Sequence, residues 1–410
     1  MRSPRTNPFL PGSDTIPPVW AGRVLEIADF HDVVAPRRLA GIYERGRIVL
    51  GEPGIGKSVL VNRLAGEALA GGHWVLPGVR LAVGDDAVRR LLTAVRSLLE
   101  SAGGAAATSG TLTRLLARVT EVTVPVVGGG VRLADPRPAP RGHEVLTELL
   151  VELGAAAQDA GVLVVIRVDE VQNLTGRGLS RLLTTLGDAL NADRAVTDPA
   201  GTVHHLKLPV AVYLSGLPEF YSRAAAAGAT FARRFKPVEL GPLDDAALQL
   251  ALRPFVTEGW EVLSEDGPTR VRMEPEAESM LVEAAHGSPF LFQLVGEAAW
   301  NAGPELTITA AHARRGIAAT RRETAAHFDL RLAALTDRQR HYLVAAASLP
   351  EDERTAGRVA RAMGSTTEQL ASTAQSLDER HRLIRRAGGR VTFRSPGLLT
   401  YLRSVGTGSH

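Results

Sequence analysis

Residues 51–58 read Gly-Glu-Pro-Gly-Ile-Gly-Lys-Ser and fit the spacing G-x-x-x-x-G-K-[ST]. The apolar run Arg47-Ile48-Val49-Leu50 precedes them and has the length and composition of a strand. Val59 to Ala70 follows with helical periodicity and stops at Gly71-Gly72. A strand, a glycine loop and a helix in that order restrict the fold to an α/β unit built around an anion-binding turn. Gly51, Gly54 and Gly56 permit backbone geometry closed to residues with a Cβ, so successive N–H groups can turn toward one phosphate. The helix presents its positive end to the same anion. The candidate nucleotide-binding segment is therefore Gly51, Glu52, Pro53, Gly54, Ile55, Gly56, Lys57, Ser58 and Val59. Lys57 is expected to reach the outer phosphates of a nucleotide, and the Ser58 hydroxyl to hold Mg²⁺. A glycine-rich turn with a stray lysine would explain the glycines alone. Against it, the chain has 47 Lys plus Arg, and its lysines are Lys57, Lys207 and Lys236 only. A chain that uses Arg almost everywhere keeps a compact ammonium at this position, and the two cations are not interchangeable.

The bulk composition bounds the rest. At 410 residues the chain has room for two or three domains. A hydrophobic content of 45% with 22% charged residues is ordinary for a folded soluble protein. The absence of cysteine excludes disulfides and thiolate metal sites. The first residues, Met1-Arg-Ser-Pro-Arg-Thr-Asn-Pro, lack the apolar core of a signal peptide, and no apolar run approaches the ~18 residues of a membrane span. The expectation is a cytoplasmic protein with no membrane association. A net charge of +3 means that any nucleic-acid surface is local.

Along the chain, residues 1–20 are Pro-rich and read as extended, and a first helix starts in the stretch Gly22 to Ala35. Trp74 to Ala82 reads as a second strand, and Asp86 to Ser101 as an amphipathic helix with Val88, Leu91, Leu92, Val95, Leu98 and Leu99 on one face. Residues 103–110 read as a small-residue loop, 119–133 as a hairpin around Gly128-Gly129-Gly130, 136–140 as a stiff linker, and His143 to Ala160 as a helix. Gly161-Val-Leu-Val-Val-Ile-Arg-Val-Asp169-Glu170 is nearly continuous in apolar residues, as a strand buried on both faces would be. It ends in two adjacent carboxylates. Neighbours on a strand point to opposite sides, so Asp169 can face a metal while Glu170 faces an attacking water. The competing reading is two solvated acids at the start of the next helix. Leu208 to Leu214 is a further buried strand, ending at Ser215-Gly216-Leu217-Pro218, where Ser215 could sense a terminal phosphate or simply open a turn. Strands alternating with helices through residue 240 predict a parallel α/β sheet with its ligand at the carboxyl ends, where Gly51, Asp169 and Ser215 fall.

Beyond residue 240 the pattern predicts helices only: Leu243 to Val256, Glu276 to His286, Pro289 to Asn301 and Ala310 to Leu335. The last stretch predicts helices over Asp337 to Leu349, Thr355 to Met363 and Thr367 to Arg382, then a hairpin around Gly388-Gly389. Three helices and a hairpin outline a winged helix. Arg385, Arg386, Arg390 and Arg394 on the hairpin, with Arg380 and Arg382 on the third helix, suit contacts to the phosphates of duplex DNA. A winged helix that meets protein, or is purely structural, would carry the same arginines to solvent.

On these residues the chain resembles the AAA+ ATPases of the origin-recognition and initiator group, from about residue 18 to 403. Pro17-Pro18-Val19-Trp20-Ala21-Gly22-Arg23 looks like the entry motif beside the adenine, which adds Arg23 to the nucleotide-binding residues. Ser215 fits the first sensor, and Phe231-Ala232-Arg233-Arg234-Phe235 looks like the arginine-finger box. The resemblance implies a P-loop AAA+ core at 21–240, an all-α lid at 241–330 and a winged-helix domain at 331–410, after an extended segment at 1–20. It implies ATP hydrolysis with Mg²⁺ on Ser58 and Asp169, catalysis by Glu170, Lys57 and Ser215, and Arg234, or else Arg233, reaching into a neighbouring subunit, so self-association or a partner AAA+ subunit follows. One departure is visible. Gly287-Ser288-Pro289-Phe290-Leu291-Phe292-Gln293 carries no cation where the family's second sensor stands, and this form is closer to signalling ATPases of the STAND type. Asp169-Glu-Val-Gln-Asn-Leu174 is also similar to transposition-associated ATPases.

The expected function is an ATP-driven switch that binds DNA; the alternative is a signalling or scaffold ATPase whose C-terminal domain binds protein. GTP is set aside because Asn191-Ala192-Asp193 lacks the lysine of a guanine-reading Asn-Lys-x-Asp. No Gly-x-Ser-x-Gly appears, which argues against hydrolase chemistry on carbon substrates, and His204-His205 reads as a surface loop.

Overall fold

Residues 46–50 and 210–216 are buried throughout, as strands between neighbours and beneath helices require, and they set the frame of the first unit. The fold is taken from a computed structural model that describes residues 2–12, 15–102, 142–264, 267–333, 335–381 and 383–406. The expected loop at 103–110, hairpin at 119–133, linker at 136–140 and Arg382 lie outside the described residues. Two compact units result: Arg23–Gly51 with Lys57–Glu239, and Met1–Gly22 with Glu52–Gly56 and Leu240–His410.

The first unit holds β1 (Gly46–Leu50), β2 (Trp74–Val75), β3 (Val79–Arg80), β4 (Val164–Asp169), a hairpin of β5 (Asp193–Thr197) and β6 (Val203–Lys207), β7 (Val210–Gly216) and β8 (Phe235–Glu239). The main sheet runs β2-β4-β7-β1-β8, with β3 also on β4, and every pairing in it is parallel. All residues of β1 and β7 are buried, which explains their unbroken apolar sequences. The helix Lys57–Ala70 packs on β4 and β7, and the helices Gly142–Ala160 and Gly176–Asn191 pack on each other. Register places Val49 beside Ser215 and Val168 beside Leu214. The carboxyl ends of β4, β7 and β1 are thus adjacent, and three candidate site residues come from them. His204 and His205 are not in a loop: they sit on β6 of the exposed antiparallel hairpin, where His204 faces Asp198 and His205 faces Asp193.

The second unit departs from the helices-only expectation. Alongside the helices Asp245–Thr257, Pro275–Ala285, Pro289–Asn301 and Ala310–Ala319 it contains β9 (Trp260–Ser264), β10 (Gly267–Met273) and β11 (Thr307–Ile308), in the order β11-β10-β9. Val271 and Met273 are buried while Arg270 and Arg272 are exposed, so β10 has the period-two pattern of a one-sided strand. Its arginines masked that pattern in sequence. The single helix expected over 310–335 is two, Ala310–Ala319 and Arg321–Ala333. Thr320 stands at the break, and its hydroxyl donates to the Ile317 carbonyl, which competes with continuation of the helix.

The proline-rich start is extended apart from one short turn, but it is packed. Arg2 donates to the Ala299 carbonyl, the Trp300 indole donates to Ser3 O at 2.9 Å, and the Phe9 ring stacks on Phe255. A Cβ on Gly296 would lie 2.3 Å from the Phe9 ring, which is why a glycine is tolerated inside the helix Pro289–Asn301.

The C-terminal stretch has the helices Asp337–Ser348, Ala356–Ala362 and Thr367–Gln375, then the antiparallel hairpin of β12 (Ile384–Ala387) and β13 (Arg390–Phe393). Each of the three helices opens on a threonine, Thr336, Thr355 and Thr366, whose side chain accepts a main-chain N–H of the first turn. A further helix, Pro396–Gly406, was not anticipated; Leu398 and Leu402 bury it against the same core as Leu343 and Ile384. Among the described residues, no helix is long and apolar enough to cross a membrane.

Candidate functional site

Gly54 and Gly56 adopt φ of 78° and 88°, a region that strains any residue with a Cβ, whereas Gly51 does not need it. Of the three glycines that permit such geometry, Gly54 and Gly56 use it. Lys57 opens the helix Lys57–Ala70, is 8% exposed, and donates from Nζ to the Gly51 carbonyl at 2.9 Å. Burial pushes its ammonium below the ordinary lysine value, against the carboxylates of Glu170, Asp169 and Glu219, which favour the charged form.

Asp169 ends β4 and is held on both oxygens. Ser58 Oγ donates to Oδ2 at 2.6 Å, the Ser215 hydroxyl donates to Oδ1, and so does the Glu170 N–H at 2.9 Å. Ser215 therefore anchors the carboxylate directly. Glu170 takes a left-handed backbone, φ 60°, which turns its side chain out of the strand direction. Gln172 donates to Glu170 Oε2, and the Arg80 guanidinium stands 3.8 Å from Oε1. Glu170 and Arg80 line a cleft of about 570 Å³ with Ala82, Arg90 and Asn173. Lys57, Ser58, Asp169, Glu170 and Ser215 are thereby brought together. Arg80 was missed, although a cation near the end of a predicted strand was a visible sign.

Other candidates lie in their own surroundings. Arg23 has a left-handed backbone and pairs with Glu26 at 4.0 Å. Arg234 is tied to Asp188 at 3.0 Å, and its guanidinium lies 4.3 Å from the centre of the Phe231 ring. Arg233, next to it, is exposed. On the hairpin, Asp378 pairs with Arg386 at 3.5 Å and with Arg394 at 3.1 Å, while Arg385 and Arg390 are exposed. In the second unit Arg331, from the helix Arg321–Ala333, forms an ion pair with Glu52, and no sequence signal pointed to it.

The donor set suits Mg²⁺ and a polyphosphate. Ser58 and Asp169 offer two adjacent hard oxygens, and Mg²⁺ binds through one or two protein oxygens while keeping water and phosphate ligands. Lys57, buried in the same unit with its ammonium on the Gly51 carbonyl, adds a cation that suits an anion.

The family described as a domain of unknown function (DUF8462) matches residues 325–402. No curated protein matches the chain. Among solved structures, a Walker-type ATPase of Pyrococcus abyssi is similar over 94% of this chain and 96% of that one, with 15% identity and a TM-score of 0.54. The ORC2 protein of Aeropyrum pernix, solved in complexes with ADPNP and ADP, is similar over 98% of this chain and 96% of that one, with 14% identity and a TM-score of 0.54. The chain thus shares the fold of these two proteins.

Proposed function

We propose that the chain is an ATP-binding and ATP-hydrolysing switch of the AAA+ class that couples its nucleotide state to DNA binding. Residues 21–240 would form the nucleotide-binding core, 241–330 the lid and 331–410 a winged helix. The observation that carries the nucleotide reading is the Ser58–Asp169 hydrogen bond of 2.6 Å beside a buried Lys57 that directly follows two left-handed glycines. Isolated solvated acids would not be arranged in this way.

The geometry supports the following roles. Lys57 binds the outer phosphates. Ser58 and Asp169 hold Mg²⁺, which when bound neutralises charge on the phosphates. Ser215 fixes Asp169 by donating to Oδ1. Glu170 takes a proton from, or orients, the attacking water, and Gln172 and Arg80 set where its carboxylate points.

A trans-acting arginine has to be accessible. The guanidinium of Arg234 is taken up by Asp188 and Phe231, and the exposed Arg233 would fill that role. Hydrolysis per chain is expected to rise with protein concentration in the wild type. Arg233→Ala is expected to abolish the rise, with a loss on the order of 1,000-fold in the assembled enzyme, the lower range for arginine fingers. Arg234→Ala is expected to keep the rise and lower the melting temperature. An Arg233→Ala curve that overlays the wild type at every concentration removes this role.

The DNA reading is supported by exposed Arg385 and Arg390 on the hairpin that packs on the turn Ser376–Arg380, which follows the helix Thr367–Gln375. Arg386 and Arg394 contribute less, because Asp378 partly neutralises both. The test is full-length chain binding duplex DNA across a salt series. Each phosphate neutralised adds about 0.9 to the slope of log affinity against log salt. Arg385→Ala with Arg390→Ala is expected to lower that slope by about two. No binding at low salt would favour the alternative, a signalling or scaffold ATPase whose C-terminal module meets protein.

A further inference from the structure

Two surfaces of the C-terminal stretch could meet DNA: the helix Thr367–Gln375 and the hairpin of β12 and β13. Leu370, Thr373, Ala374 and Leu377 turn one side of the helix and of the turn that continues it into the core. The opposite side carries Glu368, Ala371, Ser372, Gln375 and Glu379, all exposed and recurring at helical spacing. None of the five is Lys or Arg. Glu368 accepts from the Thr367 hydroxyl at 2.9 Å. Its own main-chain N–H and the hydroxyls of Thr367 and Thr366 hold its carboxyl below the ordinary glutamate value, so it is ionised at neutral pH. Gln375 Nε2 donates to Glu379 Oε2 at 3.0 Å, so the one amide of this side is engaged. Side chains that read bases in the major groove work between two rows of phosphates, and the commonest base contact is Arg or Lys on guanine. A side with two carboxylates and no cation is repelled there.

The hairpin has the opposite character. Register pairs Ile384 with Phe393 and Arg386 with Val391, and buried Ile384 and Val391 mark that side as the one over the core. Arg385, opposite Thr392, and Arg390, opposite Ala387, therefore share the outer side as diagonal neighbours. The hairpin closes on Gly388-Gly389, which leaves its tip without side chains that would hold a large surface away. It is also fixed at its base. Val391 N–H donates to Arg354 O at 2.9 Å, Ala356 N–H donates to Gly389 O at 2.9 Å, and the buried Arg354 guanidinium lies 5.3 Å from the centre of the Phe393 ring. Arg380 closes the turn that packs on β12, so its charge adds to the hairpin and not to the outer side of the helix. Exposed guanidinium forks on a rigid support suit phosphate oxygens, which are the same at every base pair.

We infer that the C-terminal module takes duplex DNA of any sequence, held by its phosphates on Arg385 and Arg390, and that the helix Thr367–Gln375 reads no bases. This rests on the proposed DNA binding and names its substrate class. Glu368 and Glu379 keep the helix out of the groove, so the contact stays on the hairpin. The affinity then comes from charge, and the chain carries no side chain on that helix to tell one base pair from another.

The test titrates the full-length wild type at low salt with an A·T-rich duplex, a G·C-rich duplex and a pool of duplexes of randomised sequence, and sequences the bound members of the pool. Affinities should agree within about tenfold and no sequence should be enriched beyond that, whereas a base-reading protein prefers its site by about 1,000-fold or more. Arg385→Ala with Arg390→Ala should weaken every duplex by one common factor. Glu368→Gln with Glu379→Gln should weaken no duplex, because carboxylates that meet no base have no contact to lose. Gln375→Ala should likewise weaken none. A sequence preferred by more than about tenfold overturns the inference and leaves DNA binding standing. So does a loss on any duplex from the Glu368 and Glu379 pair or from Gln375→Ala. A wild type that takes up no duplex at low salt overturns both.

Discussion

Lys57→Ala is expected to bind ATP about 100-fold more weakly than the wild type, or not measurably, while keeping its fold. The Lys57 ammonium is buried, is steadied by the Gly51 carbonyl, and is surrounded by the carboxylates of Glu170, Asp169 and Glu219. It is also the only lysine in the first 200 residues, so no neighbouring ammonium can substitute. Removing one partner from a buried charge contact typically costs 3–5 kcal/mol, and about 3 kcal/mol corresponds to the 100-fold loss. Lys57→Arg should recover little, because a planar fork does not fit where a compact charge is held by one carbonyl. Equilibrium binding of ATP, alongside thermal unfolding of both proteins, checks this. Equal affinities would remove Lys57 from the site.

The second large effect is expected at Glu170. Glu170→Gln should bind ATP within about threefold of the wild type and hydrolyse it about 100- to 10,000-fold more slowly, the range that positioned acid–base groups contribute. The amide is isosteric and still accepts from Gln172, so the left-handed turn at residue 170 survives. What is lost is the basic oxygen that would take the water's proton. Binding and single-turnover hydrolysis measured on the same preparation separate the two steps. If Glu170→Gln turns over at the wild-type rate, the general base lies elsewhere. If it loses binding as well, Glu170 has a structural role through Arg80.

Both predictions concern residues that were legible in sequence, and the reason is local. Gly51 to Ser58 carries its signal in contiguous residue types, and Asp169–Glu170 closes an apolar run that reads as a buried strand. The parallel sheet followed from strands alternating with helices. What the sequence left hidden depends on partners far along the chain. The strand β10 has its period-two pattern, but Arg270 and Arg272 occupy the outward positions and the strand needs β9 and β11 to exist. The helix Pro396–Gly406 is defined by burial of Leu398 and Leu402 in a core assembled from residues 291–402. Arg331 sits 279 positions from Glu52 (331 − 52), and Arg80 stands 90 from Glu170 (170 − 80). No local pattern connects such pairs. The sequence reading placed Arg234 before Arg233; the Asp188 carboxylate and the Phe231 ring that hold Arg234 are contacts no local pattern shows.

The most direct test is the wild-type arm of the first comparison, run as a calorimetric titration of ATP into the folded full-length chain with and without magnesium. Saturable uptake of one ATP per chain, tighter when magnesium is present, is the result expected if Lys57 grips phosphate while Ser58 and Asp169 hold the metal. A flat trace from folded protein in magnesium would contradict the account at its root.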